Sequence, residues 1–331
     1  MFDWYKNDII RRLKNSDYDS AIIGLGDSFT QGHGACSVKL WEKCNWNVNV
    51  VPTTSLWDYQ IEYYENSWVN QLVKNHMSKF VSINMGMNGR GNRAAGSELF
   101  LHPDLELEKI KNKIVVFMLS GNERFDIVHK NYNEHIHFKT IWPSYDSQEP
   151  DKDLWSAYAE HGYSDKMSII ELLLIVKQVR TWCELNNATL ILTSAFRPEY
   201  NRDYFIETIR GERDDKKNFL YHRLEYIEKL VDYLDWYNFL RPNGFRCFSD
   251  FLCSLEGRED LIDEKGENGF YYYSKSLDKM SPNGYFTNCA HPSILGHTKF
   301  AEVIFEHILK QDKNILKNNI KNGKKIFTDI I

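Results

Sequence analysis

A short apolar run, Ala21-Ile22-Ile23-Gly24-Leu25, delivers the chain into Gly26-Asp27-Ser28, and this junction constrains the fold more than any other segment. An apolar run of that length bounded by glycine reads as a buried strand. Gly26 permits a sharp turn, which sets Ser28 just past the strand's carboxyl end, the place where ligands bind in an open α/β sheet. A serine held there is a candidate nucleophile. The same tripeptide also forms ordinary Asx turns, so the remainder of the chain must decide between the two readings.

Residues 79–84, 113–119 and 188–194 repeat the pattern of 20–25, each a short apolar run ended by Gly, Ser or Asn. Between them, 55–76 and 165–187 read as helices. In the second, Ile169, Leu172, Leu173, Val176 and Val179 fall at helical spacing, with Asn186-Asn187 as its stop. A further helix is expected over 294–309. Strands alternating with helices imply an α/β fold: three α/β/α layers around a mostly parallel central sheet. We read 1–331 as a single domain without internal repeats. Two stretches look inserted, 124–162, which is rich in His, Asn, Tyr and Trp and lacks clear periodicity, and 197–287, which carries a charged helix near 215–235. Both follow strands whose ends face the candidate site, so they are the expected walls of a pocket. The lysine-rich stretch 311–331 reads as a solvated basic tail with no partner attached to it.

Three other segments bear on Ser28. Val81-Ser82-Ile83-Asn84-Met85-Gly86-Met87-Asn88-Gly89-Arg90 and Ile114 to Ser120-Gly121-Asn122-Glu123 each run from an apolar stretch into glycine and asparagine. Asn288-Cys289-Ala290-His291-Pro292-Ser293 supplies a histidine ahead of the last helix. With these four blocks the chain resembles the SGNH (GDSL-type) hydrolase family, whose blocks supply Ser, Gly, Asn and His in that order. The resemblance implies that Ser28 is the nucleophile and, through its own backbone N–H, the first oxyanion donor. Gly89 is the implied second donor, because the family pattern places that glycine five positions after the asparagine that Asn84 matches. Asn122 is the implied third donor, in a block that reads Ser120-Gly121-Asn122-Glu123 where the family usually has Gly-x-Asn-Asp. His291 is the implied base. Gly89-Arg90 followed by Arg93 also looks like a segment of the family's carbohydrate acetylesterases.

One position departs from the family more seriously. Three residues before His291 the pattern has aspartate, and this chain has Asn288. In the serine-protease template the acid fixes the histidine tautomer and stabilises the imidazolium, and its replacement by asparagine costs about 10⁴ in kcat. The Cys-His-Asn arrangement of papain-like proteases shows that an amide oxygen also orients the ring. Asn288 is therefore expected to weaken the base without abolishing it.

The physical requirements of acyl transfer match these residue types: a serine, a base to take its proton, and donors aimed at the oxygen that becomes negative. Each residue also has a plainer use. Asn122 could be only a turn-former after Gly121, and Gly89 only part of the flexible run Gly86, Gly89, Gly91. That run lacks the G-x-G-x-x-G spacing of a dinucleotide site. His135-x-His137 would offer two metal ligands, but a zinc site needs three or four and no convincing partners follow, so neither metal nor cofactor is expected. The six cysteines show no C-x-x-C pair, and reduced thiols are the expectation.

Composition narrows the function classes. A formal net charge of −5 argues against a general nucleic-acid binder. No stretch approaches the ~18–20 apolar residues of a membrane span, and the first residues lack a signal pattern. A cytoplasmic protein, or a virion or exported protein without a visible signal, is expected. An aromatic fraction of 14 %, including 9 Trp and 19 Tyr, suits contact with sugar rings. The expected activity is a serine esterase acting on an O-acylated carbohydrate, an O-acetyl group foremost. The alternatives are a lipid esterase, a thioesterase, an acyltransferase, or a glycan-binding or virion structural protein that has lost efficient chemistry. Oligomeric state is left open.

Overall fold

The structure is a computed structural model that describes residues 3–15, 19–37, 40, 60–121, 124–130, 136–141, 164–196, 200–210, 224–233, 239–259, 262, 284–287 and 291–320. Four strands, β1 (Ser20–Leu25), β2 (Val81–Asn84), β3 (Asn112–Leu119) and β6 (Ala188–Ser194), form one parallel sheet in the order β2-β1-β3-β6. Ile23 lies opposite Ile83 on one side and Val115 on the other, and Phe117 opposite Leu192. The first crossover leads from β1 to β2 on one flank and the second brings β3 to the other flank. The carboxyl ends of β1 and β3 therefore flank the topological switch point, where open sheets form crevices.

Alternation along the strands separates two apolar layers. Ala21, Ile23, Leu25, Val115, Phe117 and Leu119 enter one core, and Ile22, Ile114, Val116 and Met118 enter the other. The first is covered by α1 (Asp3–Asn15), α4 (Asn92–Leu101), α5 (Asp165–Leu185), α6 (Arg202–Arg210) and α7 (Leu224–Tyr233). These contribute Ile9, Leu99, Ile169, Val176, Phe205 and Val231. The second is covered by α3 (Trp68–His76), α8 (Phe248–Leu255) and α9 (Ile294–Ile320), through Trp68, Leu72, Phe251, Phe300 and Ile304. Full burial of each such side chain is worth about 1.5–3 kcal/mol, which is why the chain accepts the entropic cost of three layers. The short α2 (Ser28–Gln31) follows β1 directly.

The expected strands at 20–25, 113–119 and 188–194 are present within a residue at each end. The strand expected from 79 begins at Val81, because the preceding residues close a turn in which the Phe80 N–H donates to the Met77 carbonyl. The helix expected over 55–76 is interrupted, and 55–59 lie outside the described residues. A helical stretch at 60–65 stops, and α3 starts after Ser67. Ser67 has an extended backbone and its Oγ donates to the Tyr64 carbonyl at 2.8 Å, so a local side-chain bond replaces the next helical one. The helix α5 ends as expected, with Asn186 as C-cap and Asn187 at φ 53°. The last helix runs well past 309 to Ile320. The charged helix expected near 215–235 covers Leu224–Tyr233, and the preceding 211–223 lie outside the described residues.

Within 124–162 the described part is a hairpin of β4 (Phe125–Lys130) and β5 (Ile136–Ile141), paired antiparallel. Asp126 at its root is buried and accepts hydrogen bonds from the Gly91 N–H at 3.0 Å and the Ala94 N–H at 2.8 Å. Gly91 has no side chain to cap α4, so this carboxylate from another element satisfies the orphan donors of the first turn. Within 197–287, the Leu240 N–H donates to the Leu192 carbonyl at 2.8 Å, so this part of the stretch lies along β6. Among the described residues no helix is long and apolar enough to cross a membrane.

Candidate active site

The turn after β1 is shaped by Asp27. Its Oδ1 accepts the Phe29 N–H at 3.0 Å, which caps α2 and leaves Ser28 as the helix's first residue. The Ser28 N–H is thus among those a helix leaves without an intrahelical acceptor. Gly26 is needed because a Cβ there would press on Thr30 and come within 2.9 Å of the Met118 carbonyl. Ser28 itself is only 4 % exposed.

His291 reaches this serine from the opposite end of the chain. Its Nε2 lies 2.9 Å from Ser28 Oγ, although the two residues are 263 positions apart. The approach is fixed by a small bridge in which the Thr287 N–H and Oγ1 both donate to the His291 carbonyl, at 2.8 and 3.0 Å. On its other flank, the His33 ring stands edge-on at a centroid distance of 4.3 Å. His33 is buried, and that burial pushes its pKa down to about 4, so it is neutral near pH 7. Phe29 packs against His291 as well, at 5.7 Å.

The loop after β2 is stitched to the serine turn. Asn84 Nδ2 donates to the Thr30 carbonyl at 2.9 Å, and its Oδ1 accepts the Gly86 N–H at 2.9 Å. The Met87 N–H donates to the Gly26 carbonyl at 3.2 Å, and the Asn88 N–H to Gln31 Oε1 at 2.9 Å. The Tyr64 hydroxyl completes the seam by donating to the Gly86 carbonyl at 3.1 Å. The Gly86 N–H is consequently engaged within its own loop. Gly89 occupies the following turn at φ 78°, a conformation that suits glycine.

The end of β3 is held by a reciprocal pair. Asn92 Nδ2 donates to the Ser120 carbonyl at 2.9 Å, and the Ser120 N–H donates to Asn92 Oδ1 at 2.8 Å. The Tyr200 hydroxyl adds a second donor to that carbonyl at 2.6 Å. Asn122 lies outside the described residues, as do Asn288, Cys289 and His135. His137 is on β5. Just beyond, Arg124 Nη1 donates to Asp27 Oδ2 at 2.7 Å and to the Arg90 carbonyl at 3.0 Å. Burial raises the Asp27 pKa, and the Arg124 charge opposes that shift only in part.

Ser28 and His291 are therefore brought together, with Gly89 on a loop bonded to the serine turn. Sequence reasoning did not find His33, Gln31, Arg124 or Asp126. None lies in a recognisable pattern, and each acts through a residue distant in the chain. Among the described residues, no cluster of three or more His, Cys, Asp or Glu side chains could hold a metal ion.

No family model matches the chain. No curated protein matches it either. One similar solved structure is that of a carbohydrate esterase whose active site displays divergent catalytic and non-catalytic binding functions. It aligns at a TM-score of 0.39 and 12 % identity over 89 % of this chain, which spans 66 % of that protein's length. So slight a likeness bears no weight.

Proposed function

We propose that this protein is a serine esterase of SGNH type that removes O-acyl groups, O-acetyl foremost, from a carbohydrate. The observation that carries the proposal is the 2.9 Å contact between His291 Nε2 and Ser28 Oγ at the carboxyl end of β1. A base within hydrogen-bond reach of a serine at a switch point is the arrangement that nucleophilic acyl transfer requires.

In this reading His291 Nε2 takes the hydroxyl proton as Ser28 Oγ bonds to the ester carbonyl carbon. The carbonyl oxygen becomes an oxyanion, received by the N–H groups of Ser28 and Gly89 and the side-chain amide of Asn122. Collapse of the tetrahedral intermediate breaks the bond to the sugar oxygen, which leaves with the proton held by His291. Water then attacks the acyl-serine, again through His291, and releases the acid. Gly89 is taken as the donor because it stands five positions after Asn84, the spacing of the family pattern that the chain resembles. Asn288 is assigned the part of orienting His291 through its amide oxygen. The carbohydrate preference is supported by the Gly89-Arg90 and Arg93 segment and by the aromatic content of 124–162 and 197–287.

The test compares the chain with Ser28→Ala on p-nitrophenyl acetate and on a panel of acetylated glycans, with an active-site phosphonate as label. Serine-dependent turnover on glycans and a label on Ser28 are expected. A label elsewhere, or full activity in Ser28→Ala, removes the assignment. Turnover confined to long-chain or thioester substrates would move the protein to a lipid esterase or thioesterase.

A further inference from the structure

The segments that would supply the oxyanion donors come from three strand ends, and the bonds of Asn84, Met87 and Asn88 tie the second to the first at positions before Gly89. One guanidinium touches two of these regions. Arg124 Nη1 bonds Asp27 Oδ2, one residue before Ser28, and the carbonyl of Arg90, one residue after Gly89. Arg124 is itself two residues beyond Asn122 in the chain. Its Cζ lies 4.9 Å from the centre of the Phe196 ring, beyond the end of β6, and Phe196 packs on Phe29 at 5.6 Å. Both partners are sequestered from solvent, with side-chain exposures of 10 % for Arg124 and none for Asp27. A buried ion pair of this kind contributes little net stability, because desolvation offsets the attraction; its better-attested use is to fix a unique arrangement.

Building on the esterase reading, we propose that Arg124 is a positioning residue that holds the Ser28 turn and the Gly89–Arg90 turn in register, so that their N–H groups converge on one oxygen. Asp27 is its counterpart, since one carboxylate oxygen shapes the turn and the other anchors the guanidinium. The role requires both a charge to match Asp27 and two donor directions from one nitrogen. Misplacing a reacting group by about 1 Å costs on the order of 10² in rate, which sets the size of the expected effect.

The test measures kcat, KM and the rate of phosphonate labelling at Ser28 for the full chain, Arg124→Gln, Arg124→Lys, Asp27→Asn and the double variant Asp27→Asn/Arg124→Gln, with folding followed by circular dichroism. Folded Arg124→Gln should lose about 10²-fold in kcat, with KM within about threefold and the labelling rate falling in parallel. Arg124→Lys should recover at least about tenfold of that loss, because it restores the charge. The double variant should be no worse than the poorer single variant, since both remove the same contact. A folded Arg124→Gln with wild-type kcat overturns the role, and so does a double variant whose loss is the product of the two singles. Should Arg124→Gln fail to fold, Arg124→Lys and Asp27→Asn decide: reduced kcat at near-constant KM supports the role, and wild-type kcat in both overturns it. Absence of Ser28 labelling in the unaltered chain would instead bring down the esterase reading itself.

Discussion

His291 and His297 are six residues apart in the chain, yet the regions they occupy put the same side chain to opposite uses. His291 is half-buried at the mouth of the site with its Nε2 against Ser28 Oγ. His297 is fully buried at the seam between α9 and α3, where its Nδ1 accepts the Trp68 N–H at 3.2 Å. That N–H opens α3 and has no intrahelical acceptor, and Ser67 makes no side-chain cap bond to it. His297 is thus a helix cap supplied from a neighbouring layer, with the backbone of His33 on its other side. Burial drives its pKa down to about 3, which keeps it from exchanging protons near neutrality. Surroundings, more than residue type, separate the proposed base from a structural fastener.

The sharpest way to break this comparison is to delete each ring. His291→Ala should lower kcat by about 10⁴-fold or more, as for other members of a serine-histidine unit, while the melting temperature changes little. His297→Ala should do the reverse, and steady-state kinetics beside thermal unfolding of both variants would show an exchange of these effects if the roles are misassigned.

Asn288→Asp sharpens the account of what orients His291. A carboxylate there should favour the tautomer that leaves Nε2 free and should stabilise the imidazolium, raising kcat near neutral pH with a ceiling of about 10⁴. If kcat instead stays level or drops in Asn288→Asp, and Asn288→Ala is harmless, another group holds the ring and Asn288 loses its part.

A smaller effect is expected at the oxyanion side. Asn122→Ala should lower kcat by at least about tenfold with a lesser change in KM, because the bond strengthens chiefly in the transition state. Equal losses in binding and turnover, measured with p-nitrophenyl acetate, would argue for a structural asparagine.

A further effect is in stability. Folded pKa values of about 4 for His33 and about 3 for His297 lie below the unfolded value of 6.5, so in acid the unfolded chain binds protons that the folded chain refuses. Their neutral burial costs nothing above pH 6.5, and stability is lost as pH falls from 6.5 towards 4, by at most about 1.4 kcal/mol per pH unit for each ring. Urea unfolding between pH 7 and 4.5 should show this slope, and His297→Gln should remove about half of it. An unchanged slope in that variant would mean that His297 is not the buried neutral ring.

Local pattern determined a good deal here. Apolar runs of strand length located β1, β3 and β6, and the 3.6-residue period located α5; that Ser28 and His291 would meet was implied by the resemblance of four blocks, in the order serine, glycine, asparagine and histidine, to a known family. The strand and helix positions follow from residues adjacent in the chain and from burial of their apolar side chains. The break at Ser67 was not legible, because Ser and Asn within an otherwise helical pattern can be tolerated or can bond back to the chain, and packing makes the choice. The β4–β5 hairpin was hidden by irregular polarity, and its root is secured by Asp126 capping a helix that belongs to another element. Tertiary structure alone decided that Arg124 would meet both Asp27 and Arg90, that His33 would stand beside His291, and that His297 would cap α3. Those contacts depend on which strand ends are neighbours, and the order β2-β1-β3-β6 is set by long-range burial that no local spacing encodes.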